Sequence, residues 1–288
     1  MNRVKLILLV GIPGCGKTTY AKNYIKECGG VHLSSDLIRK ELYGDESTQG
    51  NPNEVFSLMQ TRAVEALNNG QDVIYDATNI TRKDRSSIIS MCPKFVQIES
   101  HVVWAPIEAC IERDASRDRT VGAEVIHKML KRFQPPYYDE GIDEIEIIWP
   151  KEFSPDDYAY DMWDKIKIPH DNPHHEFDVD KHCEAAYNYA FKFNNTDILN
   201  AAGWHDIGKS YTKAFVDNKG DPCEIAHYYS HHNYSGWIVY GLSFVTPLMA
   251  WLVGNHMEPF MNSKHYNNLP PYLKMLIDQL HECDLNAH

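Results

Sequence analysis

The first half of the chain repeats apolar runs and amphipathic stretches in turn. Val4 to Val10 is an apolar run interrupted only by Lys5, the pattern of a buried strand. It leads into Gly11-Ile-Pro-Gly-Cys-Gly-Lys-Thr18, and Thr19-Tyr-Ala-Lys-Asn-Tyr-Ile reads as the start of a helix. Gly29-Gly30 stops that helix. Val31 to Ser34 predicts a short strand that delivers Ser35-Asp36-Leu37-Ile38-Arg39 to the next helix. Asn51-Pro52 starts a helix with proline at its first position, and Val55, Met59, Ala63 and Leu67 carry its apolar stripe to Gly70. Asp72 to Asp76 predicts a strand, and Thr81 with Asp84 a capping box. Phe95 to Val103 predicts another strand, Pro106 opens a helix running through Arg113, Arg117 and Arg119, and Ile142 to Ile148 predicts the last strand. Strands alternating with helices predict an α/β fold, a parallel sheet with helices on both faces.

The pattern changes at Pro150. Prolines at 150, 155, 169 and 173 around an Asp-rich middle predict a linker with a short ordered piece near Trp163. Helical periodicity follows from about Val179. The expected organisation is a first domain over 1–150, a linker over 151–169 and a second domain over 170–288.

Composition sharpens this division. The chain has 288 residues and is 43% hydrophobic, enough for real cores. No apolar run is long enough to span a bilayer, and Leu6 to Val10 is too short for a signal peptide, so no membrane partner is expected. Seven scattered cysteines without a CxxC pair suggest free thiols in a reducing cytoplasm. The net charge of −12 is uneven: −3 falls in residues 1–150 and −9 in 151–288. All nine arginines lie in the first part, the last being Arg132, whereas twelve of the fifteen histidines lie in the second. Two parts with such different side-chain chemistry are expected to be two domains that hold anions differently, the first with guanidinium groups and the second with something else.

The strand, glycine-rich loop and helix around Gly11–Thr18 make the context of a P-loop. Gly11, Gly14 and Gly16 let backbone N–H groups turn inward around a phosphate, and the helix N-terminus adds a favourable dipole. Lys17 can reach the β- and γ-phosphates of ATP, the Thr18 hydroxyl can hold Mg2+, and Thr19 completes the expected nucleotide-binding set. Asp36 and Arg39, one turn apart, could serve as a proton acceptor and a phosphate clamp, or as an N-cap with a solvent-facing arginine. Arg113 and Arg117, four apart, could form a lid over the transferring phosphoryl group, or a solvated face among alternating acids.

In this order, Gly11–Thr18, Asp36-x-x-Arg39, Asp76-x-Thr-Asn79 and Arg113/Arg117 resemble the kinase module of bacteriophage and bacterial end-healing polynucleotide kinases over about residues 3–135. The resemblance implies transfer from ATP to 5′-hydroxyl ends of RNA or DNA. It implies Asp36 as general base and Arg39 on the acceptor's 3′-phosphate. Arg113 and Arg117 would contact ATP phosphates, with Asp76 supporting these arginines.

In the second part, a His205-Asp206 pair in an apolar helix is expensive to bury unless something binds it. Imidazole with carboxylate suits Mn2+, Fe, Co2+, Ni2+ or Zn2+. The ordered set His182, His205-Asp206, His231, His256 and Asp284 resembles the HD superfamily of metal-dependent phosphohydrolases, an all-α fold, over about 170–288. Trp204-His-Asp-Ile-Gly-Lys209 and Pro173-His-His-x-x-x-Val-x-x-His182 carry that likeness. It implies His182, His205, Asp206 and Asp284 on one metal, and His231 (or His232) with His256 on a second. Lys209 would sit near the substrate phosphate.

Together the halves resemble bifunctional HD-domain polynucleotide kinases. That implies healing of RNA or DNA ends: 5′-phosphorylation plus removal of a 2′,3′-cyclic, 2′- or 3′-phosphate, before an RNA ligase acts. Two rivals remain open. The acidic charge favours a small-molecule kinase fused to a nucleotidase. A third option is a nucleotide sensor whose P-loop part regulates the HD part.

Overall fold

A computed structural model describes every residue except 1, 2, 46, 47, 49, 118, 174–176 and 288. Backbone contacts divide the chain into two compact units. The first is Met1–Met129 with Pro136–Lys151, and the second is Leu130–Pro135 with Glu152–His288. Among the described residues no helix is long and apolar enough to cross a membrane.

In the first unit the elements follow the order β1 (Lys5–Val10), α1 (Lys17–Cys28), β2 (Val31–Ser34), α2 (Ser35–Tyr43), α3 (Pro52–Asn68), β3 (Val73–Asp76), α4 (Arg82–Ile89), β4 (Gln97–Val103), α5 (Ile107–Ala115), α6 (Ala123–Leu130) and β5 (Glu144–Ile148). The five strands are all parallel, in the order β2-β3-β1-β4-β5. β1 is central, and Leu6 to Val10 are fully buried because helices cover both its faces. β5 is an edge strand, and its exposed Glu144 and Glu146 discourage further pairing. The Thr81/Asp84 capping box forms at the start of α4. α4 also carries Arg85, fully buried, which grips Glu140 through Nε and Nη2 at 2.8 and 2.7 Å. Such a bidentate pair keeps both charges satisfied without water.

The second unit contains α7 (Pro155–Lys165), α8 (Val179–Ala190), α9 (Thr196–Trp204), α10 (Lys209–Thr212), β6 (Lys213–Val216), β7 (Pro222–Tyr228), α11 (His231–Ile238), α12 (Pro247–Asn255), α13 (Glu258–Met261), α14 (Lys264–Asn267) and α15 (Pro271–Leu285). Two expectations need correction. The unit is mainly helical but not all-α, because β6 and β7 form an antiparallel hairpin. Its turn is closed by Asp217, whose carboxylate accepts the N–H groups of Lys219 and Asp221, with Gly220 at φ 90°. The stretch expected to be a linker belongs to this unit: the ordered piece expected near Trp163 is α7, which buries Tyr158 and Met162.

The second unit also takes its core partly from the first half of the sequence. Phe133 is fully buried, with its ring 5.2 Å from that of Trp237, and its carbonyl accepts from Asn233 Nδ2 at 2.8 Å. Pro135 packs where α11 and α12 meet. A Cβ on Gly254 would stand 2.6 Å from Pro135 Cδ, so only glycine admits the ring there. Phe133→Ala is expected to destabilise the unfolding transition reported by tryptophan fluorescence by about 3–5 kcal/mol. Urea unfolding of the full chain measures it, and an unchanged midpoint would mean that Phe133 is no core residue.

Candidate functional site

The first site lies beyond the carboxyl ends of the strands, where ligands bind in open parallel sheets. The loops after β1, β3 and α5, with the start of α2, enclose a cleft of about 750 Å³. The segment following β3 holds the root of the glycine loop: Gly11 N–H donates to Thr78 O at 3.0 Å, and Asn79 Nδ2 to Leu9 O at 2.8 Å. Gly14 has φ 84°, and a Cβ there would stand 2.1 Å from Cys110 O. The loop therefore lies directly on α5. Lys17 Nζ donates to Gly11 O at 2.9 Å and Ile12 O at 3.0 Å, parked at the loop that would receive phosphates.

Thr18 Oγ1 donates to Asp76 Oδ2 at 3.0 Å, and His32 Nε2 meets the same oxygen at 3.0 Å. The pairing of Leu9 with Asp76 between neighbouring strands brings the buried carboxylate to the loop. A hydroxyl beside a carboxylate supplies the oxygen ligands that Mg2+ prefers. Asp76 thus meets Thr18 and His32, where support of Arg113 and Arg117 was expected.

On the α2 side, Asp36 Oδ1 accepts from Arg39 Nη1 at 2.8 Å and pairs with Arg119 Nη1 at 3.2 Å. Arg117 and Arg119 line the cleft, whereas Arg113 and Thr19 are not among its lining residues. The expected shared helical face of Arg113 and Arg117 does not form, because α5 ends at Ala115 and Arg117 lies in the loop beyond. That loop is shaped by Asp114, a buried carboxylate that accepts N–H groups from Val121 at 3.0 Å and Gly122 at 2.9 Å. In the sequence Asp114 looks like one more acid on a solvated face.

In the second unit four imidazoles and two carboxylates converge from α8, the turn after α9, the start of α11, the end of α12 and α15. Asp206 divides the histidines between its oxygens. Oδ2 lies 3.5 Å from His182 Nε2 and 3.4 Å from His205 Nε2, and Oδ1 lies 3.1 Å from His231 Nε2 and 3.7 Å from His256 Nε2. Asp284 Oδ1 joins the first pair, 3.0 Å from His182 and 3.4 Å from His205. Within each pair the Nε2 atoms nearly touch, at 3.2 and 3.0 Å. Nδ1 of each ring faces a backbone carbonyl: Ala287, Ala202, Tyr228 and Val253, at 3.2, 2.8, 2.8 and 2.8 Å.

That outer shell dictates the tautomer. A neutral ring donating from Nδ1 presents Nε2 as a lone pair, the arrangement that orients metal-ligating histidines. Lone pairs aimed at one another and at carboxylates repel unless cations lie among them. Burial pushes the Asp206 carboxyl up, but Lys209 and His205 outweigh it and hold it well below the usual range. Asp284 is likewise held low against burial by His182 and His205. His205 is raised well above its ordinary value, because Asp206 and Asp284 overcome burial. A metal ion would take the place of such protons. The cluster fits one: its donors are nitrogen and oxygen, buried and pre-oriented, a set suited to Mn2+, Fe, Co2+, Ni2+ or Zn2+. His231 belongs to the converging atoms, while the ring of His232, the alternative, lies 6.2 Å from that of His256.

Lys209 is buried, its ammonium 2.6 Å from Asp206 Oδ2 and 3.0 Å from His170 Nε2, over the Tyr228 ring. It therefore contacts Asp206 and His170 where a place near substrate phosphate was expected. His170 went unread because it stands between Pro169 and Pro173, directly after the stretch expected to be linker. It is buried, and burial together with the Lys209 cation lowers its pKa to about 4. It stays neutral and accepts a hydrogen bond from Lys209. The upstream His174-His175 of the motif lie outside the described residues.

Asp206→Asn removes the charge shared by both histidine pairs. Its transition-metal content after reconstitution and dialysis is expected to fall at least about tenfold. Metal analysis beside Lys17→Ala, expected to match the unsubstituted protein, checks this; unchanged content would remove Asp206 from the ligand set.

Parts of the chain are similar to known proteins. A 168-residue stretch is 26% identical to the transcription factor bHLH140 of Arabidopsis thaliana, covering 56% of this chain and 17% of that protein. A 146-residue stretch is 31% identical to the L-seryl-tRNA(Sec) kinase of Methanococcus maripaludis, covering 46% of this chain and 53% of that enzyme. The chain thus spans about half, or less, of the length of these curated relatives. Among solved structures, a chain of the Pnkp1/Rnl/Hen1 RNA repair complex is 22% identical with a TM-score of 0.42, covering 46% of this chain and 44% of that one. A fungal RNA kinase is 17% identical with a TM-score of 0.38, covering 58% and 46%. Residues 6–136 match the family model described as the AAA domain, and the first unit has an α/β P-loop kinase-like fold, a parallel sheet with flanking helices.

Proposed function

We propose that the protein heals nucleic-acid ends, phosphorylating 5′-hydroxyls with ATP in the first unit and removing a terminal phosphate in the second. The observation that carries the kinase half is the meeting, in one cleft, of Lys17, the Thr18–Asp76 pair and Asp36 with its arginines. The N–H groups of the Gly11–Thr18 loop cradle the ATP phosphates, and Lys17 leaves its carbonyls for the β- and γ-phosphates. Thr18 and Asp76 are the residues that would hold Mg2+, which neutralises phosphate charge when bound. Asp36 accepts the proton of the acceptor hydroxyl, and Arg117 faces the transferring group. The relative named as an L-seryl-tRNA(Sec) kinase supports phosphoryl transfer as the chemistry of this stretch.

The hydrolase half rests on the Nε2 geometry of His182, His205, His231 and His256 around Asp206 and Asp284. These six residues resemble the HD phosphohydrolase set and would hold one or two transition-metal ions. Bound ions would acidify water and polarise the phosphate oxygens. Lys209 keeps Asp206 ionised and aimed, and His170 in turn holds Lys209. Removing a phosphate beside the site of addition would be futile on one position but fits opposite ends of a broken strand. The products, a 5′-phosphate and a free 3′-hydroxyl, are what an RNA ligase requires. The net charge of −12 favours one rival, a nucleoside kinase joined to a nucleotidase.

Incubation with [γ-³²P]ATP and either a 5′-hydroxyl oligonucleotide or a nucleoside separates the two. Label on the oligonucleotide is expected; label on the nucleoside alone favours the rival. Asp36→Asn should lower kcat by roughly 10² or more with KM for ATP little changed. Asp206→Ala should abolish release of phosphate from a 3′-phosphorylated or cyclic-phosphate end and leave labelling intact. Loss of both activities from Asp206→Ala in a folded protein would argue for one composite site.

A further inference from the structure

The six converging groups of the second unit are not equally shut in. Side-chain exposure is 0–5% for His205, His256, Asp206 and His182, 9% for His231 and 15% for Asp284. The cluster therefore opens beside Asp284. About one helical turn back along α15 stands His281, a neighbour of Asp284 on the helix surface. Its ring meets that of Phe260 edge to face, with centroids 4.2 Å apart and planes at 90°. Phe260, in α13, comes four residues after His256. The two rings thus belong to the segments that carry two of the converging groups. His281 Nδ1 is buried without a partner among the described residues, so the ring contact, not that nitrogen, places the imidazole. Phe260 is half exposed, as are Met261 and Leu285, which follow Phe260 and Asp284 in the sequence. An apolar rim therefore lies beside the opening of a charged cluster.

Charge narrows what this rim can receive. Residues 151–288 carry −9 and no arginine, so they are poorly suited to holding a strand by its phosphates. An exposed ring holds a base by its face, with little regard to which base it is. We propose that Phe260, braced by His281, is the platform on which the second unit stacks the nucleobase of the nucleotide whose phosphate it removes. From His281 to Asp284 the helix rises about 4.5 Å. A phosphate beside Asp284 and a base on Phe260 are thus within the reach of one nucleotide. The substrate class is a terminal nucleotide of any base, and a phosphate ester without a base is a poor substrate. The inference rests on the reading of the six residues as a metal-dependent phosphohydrolase centre. His281 is a positioning residue, because it touches Phe260 and not the base.

The test uses the full chain loaded with Mn2+, without ATP, and three esters: adenosine 3′-monophosphate, uridine 3′-monophosphate and glycerol 2-phosphate, which has no ring. The unsubstituted protein is expected to favour both nucleotides over glycerol 2-phosphate at least about tenfold in kcat/KM. Phe260→Ala should raise KM for both nucleotides about tenfold, or 1.4 kcal/mol, and leave kcat and the kinetics on glycerol 2-phosphate within about twofold. Phe260→Trp and His281→Phe keep the rings and should keep KM within about twofold of the unsubstituted protein. Saturation-transfer NMR on the Zn2+-loaded chain with adenosine and inorganic phosphate reads the contact without turnover. Its signal at the base protons should fall with Phe260→Ala and return with Phe260→Trp. Equal losses on all three esters would make Phe260 a support of the metal centre and overturn the platform. Unchanged KM for the nucleotides would overturn it as well. Hydrolysis of glycerol 2-phosphate as fast as of the nucleotides would overturn the platform and leave the hydrolase reading standing. Hydrolysis of none of the three by the unsubstituted protein would overturn both.

Discussion

A carboxylate shut away from water stays ionised only where donors or cations converge on it, and both units are built around such groups. Asp76, Asp114 and Asp206 are all nearly inaccessible. Each dictates the placement of its neighbours. Asp114 organises a loop through two backbone N–H groups, Asp76 ties the glycine loop to the end of β3, and Asp206 gathers four imidazoles and an ammonium. The chain folds so that these anions are met, because an unmet one would cost more than a typical domain can spare.

The two units meet that demand with different cations. The first has guanidinium groups to use, and its buried Arg85–Glu140 pair is the purest case, with Arg85 also donating to Asn79 O at 3.0 Å. Through Asn79 the network continues to Leu9 O and so to the root of the glycine loop. The second unit has only Arg132 and uses imidazole and lysine. An imidazole can hold either a proton or a metal ion, whereas a guanidinium holds only its proton. The uneven spread of arginine and histidine along the sequence is therefore a difference in what the two sites can bind.

Much of the first unit was legible because its signals are local. β2 occupies the expected residues, Pro52 and the Thr81/Asp84 box fix helix starts, and the buried run of β1 needs no partner to be read. Features that depend on distant partners were not. Arg85 and Glu140 are 55 residues apart, and neither differs in sequence from a surface charge. Asp114 reads as solvated, and α6 was passed over behind the run of arginines. In the second unit His182 and Asp284 meet across 102 residues, so only their order could suggest a cluster. His170 and the full extent of α7 were hidden by prolines that break strands and helices but also begin helices, as Pro155 does here. The β6–β7 hairpin was announced by Asp217 and Gly220, but the expectation of helices throughout masked that signal.

The borrowed stretch Leu130–Pro135 has a consequence in time. Phe133 and the Asn233 that binds its carbonyl are separated by 100 residues, so during synthesis this apolar segment leaves the ribosome long before its pocket exists. Translation runs at roughly 5–20 residues per second, which leaves it waiting for several seconds. A nascent chain halted in that interval exposes a phenylalanine and a proline with nowhere to go. For the same reason the second unit cannot move between genes as a cassette cut at the apparent domain border: its recipient would also need the six residues encoded upstream, and the order in which they are made.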